Sequence, residues 1–134
     1  MNVALSELPS FNCLPGKEIS EHHKSGIVIA PSMAYMDQAF TDAKQYGWSK
    51  NPIVEMLIPS TVDSTLAPEG KHVASLFCQQ FAPILPDNKS WHDEKANAAN
   101  TIIETVNRFA PNFLHLKMPA ASQTEQSQNK ILST

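Results

Sequence analysis

The sequence predicts an α+β fold, with a largely antiparallel sheet of about four strands and two helices on one face. Two observations carry that reading. Strand-like and helical stretches follow one another as strand, strand, helix, strand, strand, helix, rather than in strict alternation. Each helical stretch also carries a single apolar stripe, so each has one face to bury. The chain has 134 residues, 42% hydrophobic and 17% charged. A chain of that length buries roughly two-thirds of its unfolded surface, enough for one core without a disulfide or metal.

The first strand is read over 2–8, where Val3, Leu5 and Leu8 are apolar and Ser6 and Glu7 polar. Residues 9–25 read as a long connection, with Pro9, Pro15, Gly16 and a polar run that holds His22 and His23. Connections of this length are commonly mobile or functional. Gly26–Ala30 is β-branched and reads as a buried strand. Ser32 then caps a helix over 33–46, with Met36, Ala39, Phe40 and Ala43 as its buried stripe and Gly47 as its C-cap. Pro52 opens the strand Ile53–Ile58, whose near-continuous apolarity predicts cover on both faces, with Glu55 the anomaly. Residues 59–70 are dense in turn formers. The strand His72–Phe81 follows, joined to the previous one as a hairpin or near-hairpin. Val73, Phe77 and Phe81 lie on one of its faces, and Ala74, Leu76 and Cys78 on the other.

Ser90 and Asp93 form a capping-box pattern at the head of the last helix. Its stripe is Ala99, Ile102, Ile103, Val106, Phe109 and Ala110, and Pro111 ends it. From Leu116 the chain turns polar, so the domain is read over 1–115 and a disordered tail over 116–134.

Composition excludes several functions. The four glycines, Gly16, Gly26, Gly47 and Gly70, are too far apart for a dinucleotide fingerprint or a Walker A loop. A net charge of −3 argues against a nucleic-acid partner, which calls for clustered Lys and Arg. No run approaches the ~20 apolar residues of a membrane span, and the first residues lack the pattern of a secretory signal. Cys13 and Cys78 are the only cysteines and form neither a redox pair nor a zinc knuckle. A cytoplasmic protein is the reading that follows.

Chemistry is sparse. No acidic or cysteine ligand sits at i+3 or i+4 from His22, His23, His72, His92 or His115, and His22 and His23 read as solvated. Cys78 sits in an apolar strand, which raises a thiol's pKa. Ser60, Ser64 and Ser75 have no nucleophile-elbow context. The bare residues assign no catalytic, cofactor-binding or metal site within the chain.

The passage Glu55-Met56-Leu57-Ile58-Pro59-Ser60-Thr61-Val62-Asp63-Ser64-Thr65-Leu66-Ala67-Pro68-Glu69-Gly70-Lys71-His72 adds a family likeness. It resembles the PS…D-x-(S/T)-L-A-P-x-G passage of phytoene desaturase-like FAD-dependent oxidoreductases. The subgroup it most resembles is that named pyridine nucleotide-disulphide oxidoreductase domain-containing protein 2. The likeness continues through Val73–Gln79, Trp91 and Ala110-Pro111-Asn112-Phe113. Upstream it takes in Asn2-Val3-Ala4-Leu5, Leu8-Pro9 and Ala39-Phe40-Thr41-Asp42-Ala43, so it covers about 2–114 and stops after Leu114.

The resemblance implies a fragment of a flavoenzyme, the interior of a substrate domain that roofs the flavin. Proteins of that family bind FAD through an N-terminal GxGxxG unit and a glycine-rich element near the C-terminus, neither of which this chain holds. FAD is thus implied for the full-length family and not for this chain, and the absent FAD-binding domain would be its partner. The parent chemistry would be hydride removal from a C–C or C–N bond to flavin. The substrate-cavity candidates are Pro68, Gly70, Phe77 and Phe81. For Pro68 and Gly70 the structural reading is a tight turn before a strand, and for Phe77 and Phe81 it is core packing. Surfaces left bare in a fragment imply a homodimer. The rival reading is a stand-alone α+β binding or oligomerisation module without redox activity.

Overall fold

A computed structural model describes residues 1–116, and the tail expected beyond Leu116 lies outside the described residues. The α+β fold is as expected. Four strands, β1 (Asn2–Leu5), β2 (Ile27–Ile29), β3 (Trp48–Leu57) and β4 (His72–Phe81), form one antiparallel sheet in the order β1-β4-β3-β2. The helices are a single turn α1 (Glu21–Lys24), α2 (Met33–Tyr46), α3 (Trp91–Phe109) and a final turn α4 (Phe113–Leu116).

The α2 boundaries match the sequence reading because both caps do their expected work. Ser32 Oγ accepts the Tyr35 N–H at 3.1 Å, and Gly47 closes the helix at φ 96°, its N–H donating to Ala43 O at 3.0 Å. Gly47 is required twice over, because a Cβ there would lie 2.8 Å from both Leu85 and Pro86. At the head of α3 Ser90 acts as a simple N-cap, its Oγ accepting from the His92 N–H at 3.0 Å, in place of the capping box expected with Asp93.

One side of the sheet holds the core. Leu5, Val54, Met56, Ala74 and Leu76 meet Ile102, Ile103 and Val106 of α3, with Ala110 and Phe113 sealing the end. The α3 stripe is the expected one, extended by buried Ala98 and Thr105.

Several expectations need correction. β3 is covered on both faces only in part, where consecutive Ile53 and Val54 are both buried. Val54 and Met56 are buried, whereas Glu55 and Leu57 are exposed, because α3 covers only the face on which the even-numbered side chains point. The α2 stripe is also rotated from its expected position. Ala39 and the polar Asp42 are buried, while Met36 and Phe40 stay 40% and 49% exposed.

Asp42 is inside because β3 begins earlier than Pro52. Trp48 pairs with Phe81 and Ile53 with Gln79, so a bulge lies between them. Asp42 Oδ2 accepts the Lys50 N–H of that bulge at 3.2 Å, and Gln38 donates to Oδ1 at 2.8 Å. Pro52, which has no N–H to satisfy, is buried in the bulge with its carbonyl held by Tyr35 Oη at 3.0 Å.

The connection 9–25 is tied down rather than loose. Asn12 N–H donates to Phe109 O at 2.8 Å, and its side chain donates to Arg108 O at 3.1 Å. Asn112 Oδ1 accepts from Ser10 N–H at 2.9 Å, and its amide donates to Leu8 O at 3.2 Å. Pattern reading missed this because the partners lie about a hundred positions away. It also missed that His23 is fully buried. Its Nδ1 accepts the Ser20 N–H at 3.2 Å, which leaves Nε2 to donate to Pro9 O at 3.0 Å. Together these two bonds fix the Nε2–H tautomer.

Candidate functional site

β1 is short and pairs with the first part of β4, Ser75 to His72, with Met1 extending the bonding to Leu76. Beyond that point the sheet edge is free, and the N-terminal half of α3 runs beside it. Between them lies a cleft of about 470 Å³ lined by Met1, Phe77, Cys78, Phe81, Trp91 and Lys95. Buried Leu76, Ala98 and Ile102, with half-buried Ala99, complete its lining. The volume falls in the range of small-molecule sites.

The cleft's aromatic wall is rigidly placed. Trp91 donates its Nε1–H to Ala82 O at 3.0 Å. Its ring lies 5.5 Å from that of Trp48 and 6.1 Å from that of Phe81. Phe81 thus joins the core cluster at its margin. Phe77 does not, and at 64% exposed it overturns the core-packing reading. Its place follows from register. Val28 pairs with Glu55 and Glu55 with Phe77, so these three side chains stand in one row on the sheet face away from α3. Leu57, two residues along β3 from Glu55, adds a further exposed apolar side chain to that face. The strand alternation that put Phe77 and Phe81 on one face is broken by the β3 bulge, which interrupts the pairing between them.

Pro68 and Gly70 lie elsewhere. Lys71 N–H donates to Pro68 O at 2.9 Å across a turn in which Gly70 takes φ 70°, the left-handed value that favours glycine. This is the tight turn of the structural reading, at the opposite end of β4 from Phe77 and Phe81, and neither residue lines the cleft. The structure therefore brings together two of the four candidates.

A second polar cluster was invisible in the sequence. Ser60 Oγ accepts the Val73 N–H at 3.1 Å and meets His72 Nδ1 at 3.3 Å. No carboxylate is hydrogen-bonded to His72 among the described residues, so the pair serves to pin the 59–70 loop to β4 rather than to activate a nucleophile. Only the spacing of twelve residues across the loop could have signalled it. Among the described residues no group of three or more His, Cys, Asp or Glu is placed to hold a metal ion, and no helix is long and apolar enough to cross a membrane.

Burial governs the titrating groups here. It pushes the Cys78 thiol up to about 11, against a smaller opposing effect of the Met1 ammonium. At pH 8 only about one such thiol in a thousand is ionised. An aromatic disulfide reagent is therefore expected to modify exposed Cys13 quickly and Cys78 slowly, and Cys13→Ser should leave only the slow phase.

Burial also holds His22 and His72 below the ordinary histidine value of 6.5. The unfolded chain then binds more protons than the folded one once the pH drops below about 6.5. The associated stability is complete above that value and declines as pH falls toward the folded-state pKa values. The urea midpoint is expected to be lower at pH 5.5 than at pH 8. The double variant His22→Gln, His72→Gln should flatten that difference, and an unchanged slope would contradict the assignment.

No protein-family model matches the chain. Among curated proteins, it is 37% identical over 136 aligned residues to pyridine nucleotide-disulfide oxidoreductase domain-containing protein 2 of Rattus norvegicus, covering 98% of this chain. It is 36% identical over 118 residues, 84% of the chain, to the Mus musculus protein of the same name. The chain spans 23% and 20% of the length of these relatives. It is thus homologous to one part of proteins named for an oxidoreductase domain.

Proposed function

We propose that this chain is the substrate-side part of a phytoene desaturase-like, FAD-dependent oxidoreductase, with the Phe77 and Phe81 cleft forming part of the wall over the flavin. The observation that carries the reading is the 37% identity to the rat protein along 98% of the chain. The fold supports it, since the sheet keeps one face packed under α3 and leaves Val28, Leu57 and Phe77 exposed on the other. In this reading that open face receives the flavin-binding part of the enzyme. The chain's residues supply shape and exclude water, and hydride transfer belongs to the flavin. Pro68 and Gly70 set the loop before β4, and Phe77 and Phe81 contact substrate.

The reading makes the chain alone incapable of holding FAD, because pyrophosphate binding needs a glycine-rich turn at a helix N-terminus. The purified chain is expected to be colourless, and titration into FAD should leave flavin fluorescence unchanged. Flavin absorbance co-purifying at near one equivalent would overturn it.

The same open face favours a second reading, a stand-alone module that pairs with itself. Three exposed apolar side chains on one sheet face are a surface that a second copy covers readily. Both readings lead to a dimer of the isolated chain, which light scattering at micromolar concentration tests, and a monomeric mass would contradict both. A dimer that persists when Phe77 is replaced by aspartate would remove this face from consideration.

A further inference from the structure

We propose that the cleft beside α3 takes an amphiphilic carboxylate, with its apolar body against Phe81 and Trp91 and its carboxylate toward Lys95. This rests on reading the cleft as a substrate wall, and it names the class of molecule that the wall admits.

The cleft is apolar apart from its cationic groups, so an anion complements it. The lining consists of apolar side chains, Cys78, and two cationic groups, and contains no Asp or Glu. One cation, the Met1 ammonium, is already engaged, donating to Leu76 O at 2.7 Å. The other, Lys95, has no ion-pair partner among the described residues, where lysine pairs are Lys17 with Glu7 and Lys24 with Glu21. Nor does α3 provide one, since the residues three and four positions from Lys95 are Trp91, His92, Ala98 and Ala99. The Cys78 thiol is held neutral by burial and does not compete for the cation. An apolar cleft with an unneutralised ammonium favours an anion with a hydrocarbon body over either a neutral lipid or a cation. A carboxylate presents the simplest such head group.

The chain carries its own reporter. Trp48 and Trp91, its two tryptophans, lie 5.5 Å apart and Trp91 lines the cleft. Octanoate is titrated against tryptophan fluorescence below its micellar range, with 1-octanol as the neutral counterpart. The expected result is a saturable change with octanoate, binding about fivefold weaker in Lys95→Gln, as a partly screened ion pair predicts. Octanol should bind both proteins alike. High salt should remove the difference between octanoate and octanol in the unmodified chain, a test that needs no variant. Equal octanoate affinity in the two proteins would overturn the proposal, as would the absence of any saturable change in fluorescence or in the amide NMR spectrum. Either failure would leave the flavin reading standing, since that reading is tested by where this region lies relative to FAD in a full-length relative.

Discussion

Replacing Phe113 with alanine is expected to lower unfolding stability by about 3–5 kcal/mol, the usual cost of truncating a fully buried aromatic ring. Phe113 is 0% exposed and among the largest side chains so enclosed. It closes the core where α3 ends, beside Ala110 and Val106, and its N–H donates to Ala110 O at 2.9 Å. The same turn carries Asn112, whose amide and carbonyl bind Leu8 and Ser10. Loss of the ring should therefore loosen the connection 9–25 as well as the core. Domains of this size have 5–15 kcal/mol in total, so the variant should melt about 10–20 °C lower. A shift of only a few degrees would mean that Phe113 is not the seal described.

His23→Phe is expected to be nearly as damaging, at about 2–5 kcal/mol, although it keeps a ring of similar size. The cost comes from two backbone groups. The Ser20 N–H and the Pro9 carbonyl both bond to His23, and each buried group left unpaired costs about 1–3 kcal/mol. A phenyl ring serves neither. The urea midpoint should fall with an unchanged slope, which marks lost stability rather than a changed unfolded state. A variant as stable as the parent would show that water reaches both groups.

These two residues mark where the sequence was legible and where it was not. The helices were readable because caps and stripes are local. Ser32 and Gly47 bracket α2, and Ile102, Ile103 and Val106 line α3 as expected. Alternation in β4 likewise placed Leu76 and Phe77 on opposite faces, although which of the two faces is buried was not readable from it. What escaped depends on contacts between distant residues. His23 sits in a polar run and is buried only because Pro9 and Ser20 fold around it. Asp42 looked like helix surface until the bulge at Lys50 required an acceptor.

The candidate site was half legible. Phe77 and Phe81 share a cleft, but Lys95 is an unremarkable helix lysine in the sequence. The cleft itself exists only because β1 stops short of the far end of β4. The family passage around Leu66–Gly70 pointed to the right relatives through residues that build a turn and not the cleft.

The most direct measurement is an experimental structure of the rat relative with FAD bound. The account predicts that the stretch aligned with this chain forms the same four-stranded sheet. The side chains aligned with Phe77 and Phe81 should then line the cavity above the isoalloxazine ring. A structure in which that stretch folds this way but lies on the outside of the enzyme, away from the flavin, would contradict it.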